Sequence, residues 1–236
     1  MEKNKTGKYL KYAFGEILLV IVGIIIALQI NNWNQNRLTQ NRIDSRLSSL
    51  ISDIDKEVDE MDEIIETGLN RILVTHEILK RNGKLKSAGW PESLPDSIKT
   101  STTNNPNTTL SNLKTFDGNG PTYNELINSG EFYTLDNRFL TRKIQEYYGT
   151  IDELKDSERW GVLEMNLRIS KSKQRLGIGI FSFVTLEELT EHAKIDKQFR
   201  AELESEINFT WLQIKNITEL KQEALSLIEA IKSEIK

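Results

Sequence analysis

The sequence predicts an all-α protein: an N-terminal single-pass transmembrane helix continuing into an elongated helical bundle or coiled coil. Three observations carry that reading. Ile17 to Asn36 contains no charged residue, three later stretches keep apolar residues in steps of three and four, and 236 residues hold only 4 prolines and 13 glycines. Steps of three and four put side chains on one helix face. Scarce Pro and Gly beside plentiful Leu, Ile, Glu and Lys favour long helices over a sandwich or barrel. The length fits one domain, or one domain with an appendage.

The N-terminal run decides the address. Twenty residues at about 1.5 Å each span roughly 30 Å, the thickness of a hydrocarbon core. The strictly apolar part, Ile17 to Leu28, is short enough to raise a signal peptide or a buried core helix as alternatives. No small-x-small cleavage site follows it, however, and it is apolar on every face. Lys3, Lys5, Lys8 and Lys11 precede the span, while Arg37, Arg42 and Arg46 follow it mixed with Asp44. The positive-inside rule then leaves the N-terminus cytoplasmic and exports residues from about 37. Lys8, Tyr9, Lys11, Tyr12 and Trp33 stand at the two ends as interfacial anchors. Within the span, Gly23 and Ala27 form a small-xxx-small pair, and Gln29, Asn31 and Asn32 are polar groups able to meet a partner helix; Glu16 either snorkels to the headgroups or pairs with Lys8 or Lys11, or faces another subunit. These six are the candidate contacts for self-association or for a membrane partner.

Two stretches carry a family resemblance. Lys8-Tyr-Leu-Lys-Tyr-Ala-Phe-Gly-Glu-Ile, the apolar run and Ile26-Ala-Leu-Gln-Ile-Asn-Asn-Trp-Asn together resemble the opening of a Bacteroidota family of single-pass inner-membrane proteins, a domain of unknown function. Thr122-Tyr-Asn-Glu-Leu-Ile-Asn-Ser-Gly-Glu-Phe resembles a second recurring element of that family. The resemblance implies a bacterial inner membrane and a periplasmic exported part. It implies no chemistry.

The exported part divides further. Ile43, Leu47, Leu50, Ile54, Val58, Met61 and Ile65 open an apolar seam that continues to Leu79, giving a long amphipathic helix over 37–82. With the tail at 1–12 and the span at 13–36, one continuous helix would reach about 75 Å beyond residue 31 before Asn82-Gly83 stops it. Residues 83–120 hold three of the four prolines and read as a loop; Asp96-Ser97-Ile98 within it resembles a short O-glycosylation acceptor. Residues 121–236 read as a helical bundle region packing on 37–82. Pro121 starts a short helix that Ser129-Gly130 ends. Thr134 to Asp136 can cap a long helix whose apolar face Phe139, Tyr148, Trp160, Leu163 and Leu167 broaden toward a second neighbour. Leu176 to Val184 reads as an apolar turn, Thr185 as the cap of another short helix, and Asp196 as the start of the last long one.

Catalytic and cofactor signals are absent from the sequence pattern. Thirty-five acidic against 31 basic residues (net −4) argue against a nucleic-acid partner. Zero cysteine removes thiolate metal sites and thiol nucleophiles. The acidic run Asp53 to Glu66 lacks the glycine and glutamate of a calcium loop, placing Val58 and Ile64 there, and so reads as a solvated helix face. His76 and His192 have no histidine three or four residues away, and no serine sits in a nucleophile elbow. The expectation is therefore a non-enzyme without metal or cofactor. Its expected partners are the lipid bilayer, copies of itself, and other membrane or periplasmic proteins, in a structural or scaffolding role. A periplasmic ligand-sensing module that signals through a membrane partner is the alternative.

Overall fold

The computed structural model describes residues 5–83, 105–179 and 181–235, with side chains from Phe14 onward. Among the described residues six α-helices follow one another: α1 (Lys5–Arg81), α2 (Pro106–Ser111), α3 (Pro121–Ser129), α4 (Arg138–Arg175), α5 (Leu186–Ile195) and α6 (Lys197–Glu234). A 3-10 turn, Glu131–Thr134, links α3 to α4. No strand occurs among the described residues, and the all-α class stands. The chain forms two units, residues 1–48 with 235–236, and residues 49–234.

In the first unit, α1 carries the apolar run. Every apolar side chain from Phe14 to Ile30 that is larger than alanine is at least 46 % exposed. This run is a candidate membrane span by length and composition. The Arg37 guanidinium lies 5.5 Å from the Trp33 ring centroid, and Gln40 donates to Asp44 one turn further on.

The second unit is a bundle of three long rods. α4 and α6, 38 residues each, run antiparallel. Asn137 before α4 donates to Glu234 at the end of α6 at 2.7 Å, and Arg175 at the end of α4 meets Asp196 before α6 at 2.8 Å. The Ser49–Arg81 part of α1 packs along both. Its residues Leu50, Ile54, Met61, Ile64, Ile72, Ile78 and Leu79 are almost fully buried. Gly68 permits a close approach of α1 to α6, because a Cβ there would stand 3.0 Å from Ile214. The seam of α1 is thus covered by this chain's own helices, and its buried face is not free for a second copy.

Local chemistry explains the helix ends. Thr185 and Glu188 form a reciprocal capping box at α5, and Asp196 Oδ1 accepts from the Gln198 and Phe199 amides to start α6. Gly83 and Gly130 adopt φ of +69° and +74°, the left-handed region that ends helices. Three expectations need correction. The cap of α4 is Asn137, whose side chain accepts from the Phe139 and Leu140 amides, one residue past the expected Thr134–Asp136. The expected loop contains α2, nucleated by Pro106 and capped by Asn105. Phe139, Trp160, Leu163 and Leu167 do not pack on a second neighbour; they are 68, 75, 52 and 50 % exposed, and only Tyr148 of that set is buried. Asp96-Ser97-Ile98 lies outside the described residues.

A glycine also marks a tight joint at the start of α3. At Gly120, before α3, a Cβ would fall 2.3 Å from Tyr148 Cε1, and the Tyr148 ring is itself stacked on Tyr123 at 4.1 Å. The ring has no room to retreat. Gly120→Ala is expected to destabilise the fold by about 1–3 kcal/mol through overpacking, read as a lower thermal midpoint with unchanged helical circular dichroism at low temperature.

Candidate functional site: buried acids between the long helices

The run Asp53–Glu66 is not a uniformly solvated face. Asp53 is 8 % and Glu57 4 % exposed, one helical turn apart on the side of α1 that meets α3 and α4. The apolar seam drifts around a straight helix, and these two acids fall where it crosses the packed face. Asp53 Oδ2 accepts from the Thr122 amide at 3.0 Å. Gly120 offers α3 no side-chain cap and Pro121 has no N–H, so the capping carboxylate comes from another helix. Glu57 Oε2 accepts from the Tyr147 hydroxyl at 2.8 Å, while Glu57 Oε1 and the neighbouring Tyr148 hydroxyl have no hydrogen-bond partner.

Tyrosines wall this cluster. Tyr147 and Tyr148 meet edge to face at 5.1 Å, and Tyr123 touches Phe132 edge to face at 5.8 Å. The second family-like stretch, Thr122 to Phe132, is therefore the α3–Gly130–3-10 segment seated on Asp53 and Tyr148. Burial pushes the Glu57 carboxyl up from 4.5 to about 7; the Tyr147 bond opposes this, and Asp53 and Glu60 add to it. Burial likewise raises both the Tyr147 and Tyr148 hydroxyls.

Tyr147 also lines an open cavity of about 570 Å³ between α4 and α6, with Lys143, Glu146, Thr150, Glu219 and Glu223 around it. A second cavity of about 400 Å³ shares Thr150, Glu219 and Glu223 and extends the groove past Glu153 and Ser157. Three carboxylates line each cavity, although Glu146 is paired with Arg142 and Glu219 with Lys215.

A second polar cluster lies nearer the Arg81 end. Arg71, fully buried, pairs through Nε with the buried Glu206. Lys173 donates to the Asn107 carbonyl at 2.8 Å and Ser111 Oγ at 2.5 Å, which fastens α2 to α4. Burial lowers the Lys173 ammonium to about 8. Between the clusters, Glu158 accepts from the Phe116 amide at 3.2 Å. Burial raises the carboxyls of both Glu158 and Glu206.

The sequence-derived candidates lie elsewhere. Glu16, Gly23, Ala27, Gln29, Asn31 and Asn32 are all exposed on the first unit, and a Cβ at Gly23 would meet nothing. Trp33 is 64 % exposed; of Lys8, Tyr9, Lys11 and Tyr12 only the helical backbone is described. Leu47, Leu50, Ile54 and Met61 are buried, while Ile43, Val58 and Ile65 are half-buried. Among the described residues no group of three His, Asp or Glu side chains is placed to hold a metal ion. Sequence reasoning missed Asp53, Glu57, Tyr147, Glu158 and Glu206. The available signal was an acid falling in helical step with apolar residues, as Glu158 and Glu206 do.

These features define a class, a helical-bundle protein with, among the described residues, one candidate membrane span near its N-terminus. No protein-family model, curated protein or solved structure matches the chain.

Two outcomes test the cluster energetics. Arg71→Ala leaves Glu206 buried and unpaired and is expected to lose about 3–5 kcal/mol, whereas the double change of Arg71 and Glu206 to Met recovers most of it; urea titration distinguishes them. For Glu57, the folded state holds the proton more tightly than the unfolded chain. Its stabilising contribution is present below about pH 4.5 and is lost as pH rises through about 7. Glu57→Gln is therefore expected to exceed the parent in stability at alkaline pH, by a margin that shrinks toward about pH 5.

Proposed function

We propose that the protein is a membrane-anchored helical interaction component, in which residues 13–36 hold the chain in a bacterial inner membrane and the helical bundle scaffolds or holds partner proteins. One observation carries this reading: among the described residues, nothing covers the apolar side chains from Phe14 to Ile30. Contiguous apolar surface on that scale requires lipid or partner helices. The lysine-rich N-terminus supports a cytoplasmic tail and a periplasmic bundle. The resemblance of the anchor block to the Bacteroidota inner-membrane family supports the same address.

Self-association fits the anchor better than the bundle seam. The Gly23 and Ala27 positions are open, with Glu16 and Gln29 on the same segment, whereas the α1 seam is spent on α4 and α6. The outer face of α4, with Trp160, Leu163 and Leu167 at i, i+3 and i+7, is a further contact surface within such an assembly. A sensory reading has its own support in the groove lined by Tyr147 and in the buried Glu57 behind that ring. The signal would then pass to a partner membrane protein.

Carbonate washing at alkaline pH is expected to leave the chain in the membrane pellet, and protease added outside spheroplasts is expected to cut only residues beyond about 37. Release into the supernatant overturns the anchor, and cleavage of the bundle from the cytosolic side alone overturns the orientation. In mild detergent at micromolar concentration the particle is expected to exceed the monomer mass. A strictly monomeric particle that co-purifies with no other protein overturns the scaffolding role.

A further inference from the structure

We propose that Glu57 is a proton-operated latch for the α3–3-10 segment, tightening the seat of residues 121–134 on α1 and α4 when protonated and loosening it when ionised. This goes beyond the anchoring and scaffolding role and does not depend on it.

The geometry supplies each part of the latch. Segment 121–134 is held by the Asp53 carboxylate on the Thr122 amide, by Tyr148 against Gly120, and by the Tyr123–Tyr148 stack. Both α1 and α4 groups in that seat adjoin Glu57. Asp53 lies one turn before it on the same buried face, and Tyr148 follows its hydrogen-bond donor Tyr147. When Glu57 is ionised, two carboxylates stand one turn apart in a low-dielectric interior, and their repulsion bears on the group that caps α3. The surroundings do not neutralise that pair. On α1, Asp53 and Glu60 add negative charge; α4 contributes Lys155 and the neutral phenols of Tyr147 and Tyr148; α6 contributes Glu223, facing Tyr147; α3 contributes Tyr123 and an amide. Lys56 reaches Asp53 Oδ1 only at 3.4 Å and is exposed.

Protonation changes both charge and hydrogen bonding. A neutral Glu57 no longer repels Asp53, and its carboxyl gains an O–H donor in a cluster whose own spare acceptors include the Tyr148 oxygen. The ionised form has one donor for two oxygens and leaves Oε1 orphaned in the interior. The raised affinity of this carboxyl for its proton, to about 7, sets the range in which the latch works.

Hydrogen exchange on the full chain in detergent tests this, with rates corrected for their intrinsic pH dependence. Protection of amides 122–134 is expected to fall by about tenfold between about pH 6 and about pH 8, while amides of α5 stay constant. Glu57→Gln is expected to hold 122–134 at the low-pH protection throughout. Tyr147→Phe removes the only donor to Glu57 among the described residues, and it is expected to move the midpoint to higher pH. Protection that is independent of pH in the parent, an equal fall in Glu57→Gln, or an unmoved midpoint in Tyr147→Phe each overturns the latch.

Discussion

Burial of one face of α1 by the antiparallel α4–α6 pair is the constraint from which the second unit follows. A 38-residue helix cannot bury its apolar stripe alone, and two such helices still leave an open groove along their contact. The Ser49–Arg81 part of α1 closes one side of that pair, with Gly68 letting the backbones approach at Ile214. On the other side no long helix among the described residues covers the contact, and cavities lie beside Tyr147 and Thr150. The short elements then finish the ends: α5 packs on α6, and α2 is pinned to α4 through Lys173.

Polar groups threaded through this core fix its register. Each long helix contributes a buried carboxyl, Glu57 from α1, Glu158 from α4 and Glu206 from α6, and burial raises the affinity of all three for protons. Each has one oxygen engaged and one without a partner. Apolar side chains tolerate a slip of one turn, because Leu and Ile interchange with little loss. A slip would strip Glu57 of Tyr147, Glu206 of Arg71 and Thr122 of Asp53, leaving buried polar groups unpaired. Specific register thus comes from the charged minority, at the expense of acids that sit uneasily in their ionised form.

The surface divides between solvation and contact. Ion pairs such as Arg168–Glu164 and Lys232–Glu229 lie on exposed helix faces and add little stability. Trp160, Leu163 and Leu167 break that pattern on α4, as Phe181 and Phe183 do in the turn before α5. The apolar run of the first unit does so on a larger scale, and its length and apolarity make it a candidate membrane span.

Much of this was legible in the chain alone. Periodicity, Pro121, Gly130, Thr185 and Asn82-Gly83 mark helices and their ends because caps and breakers act within a few residues. The candidate span is legible for the same reason, since its length and apolarity are local properties. The tertiary structure alone decided which acids of the Asp53–Glu66 run turn inward, that Asp53 caps a helix some seventy residues away in sequence, and that Trp160 faces out while Tyr148 faces in. Helical spacing fixes which side chains share a face but not which faces meet. That choice rests on the joint packing of three helices, where a glycine such as Gly68 or Gly120 permits contact and a buried carboxyl settles where a donor awaits it.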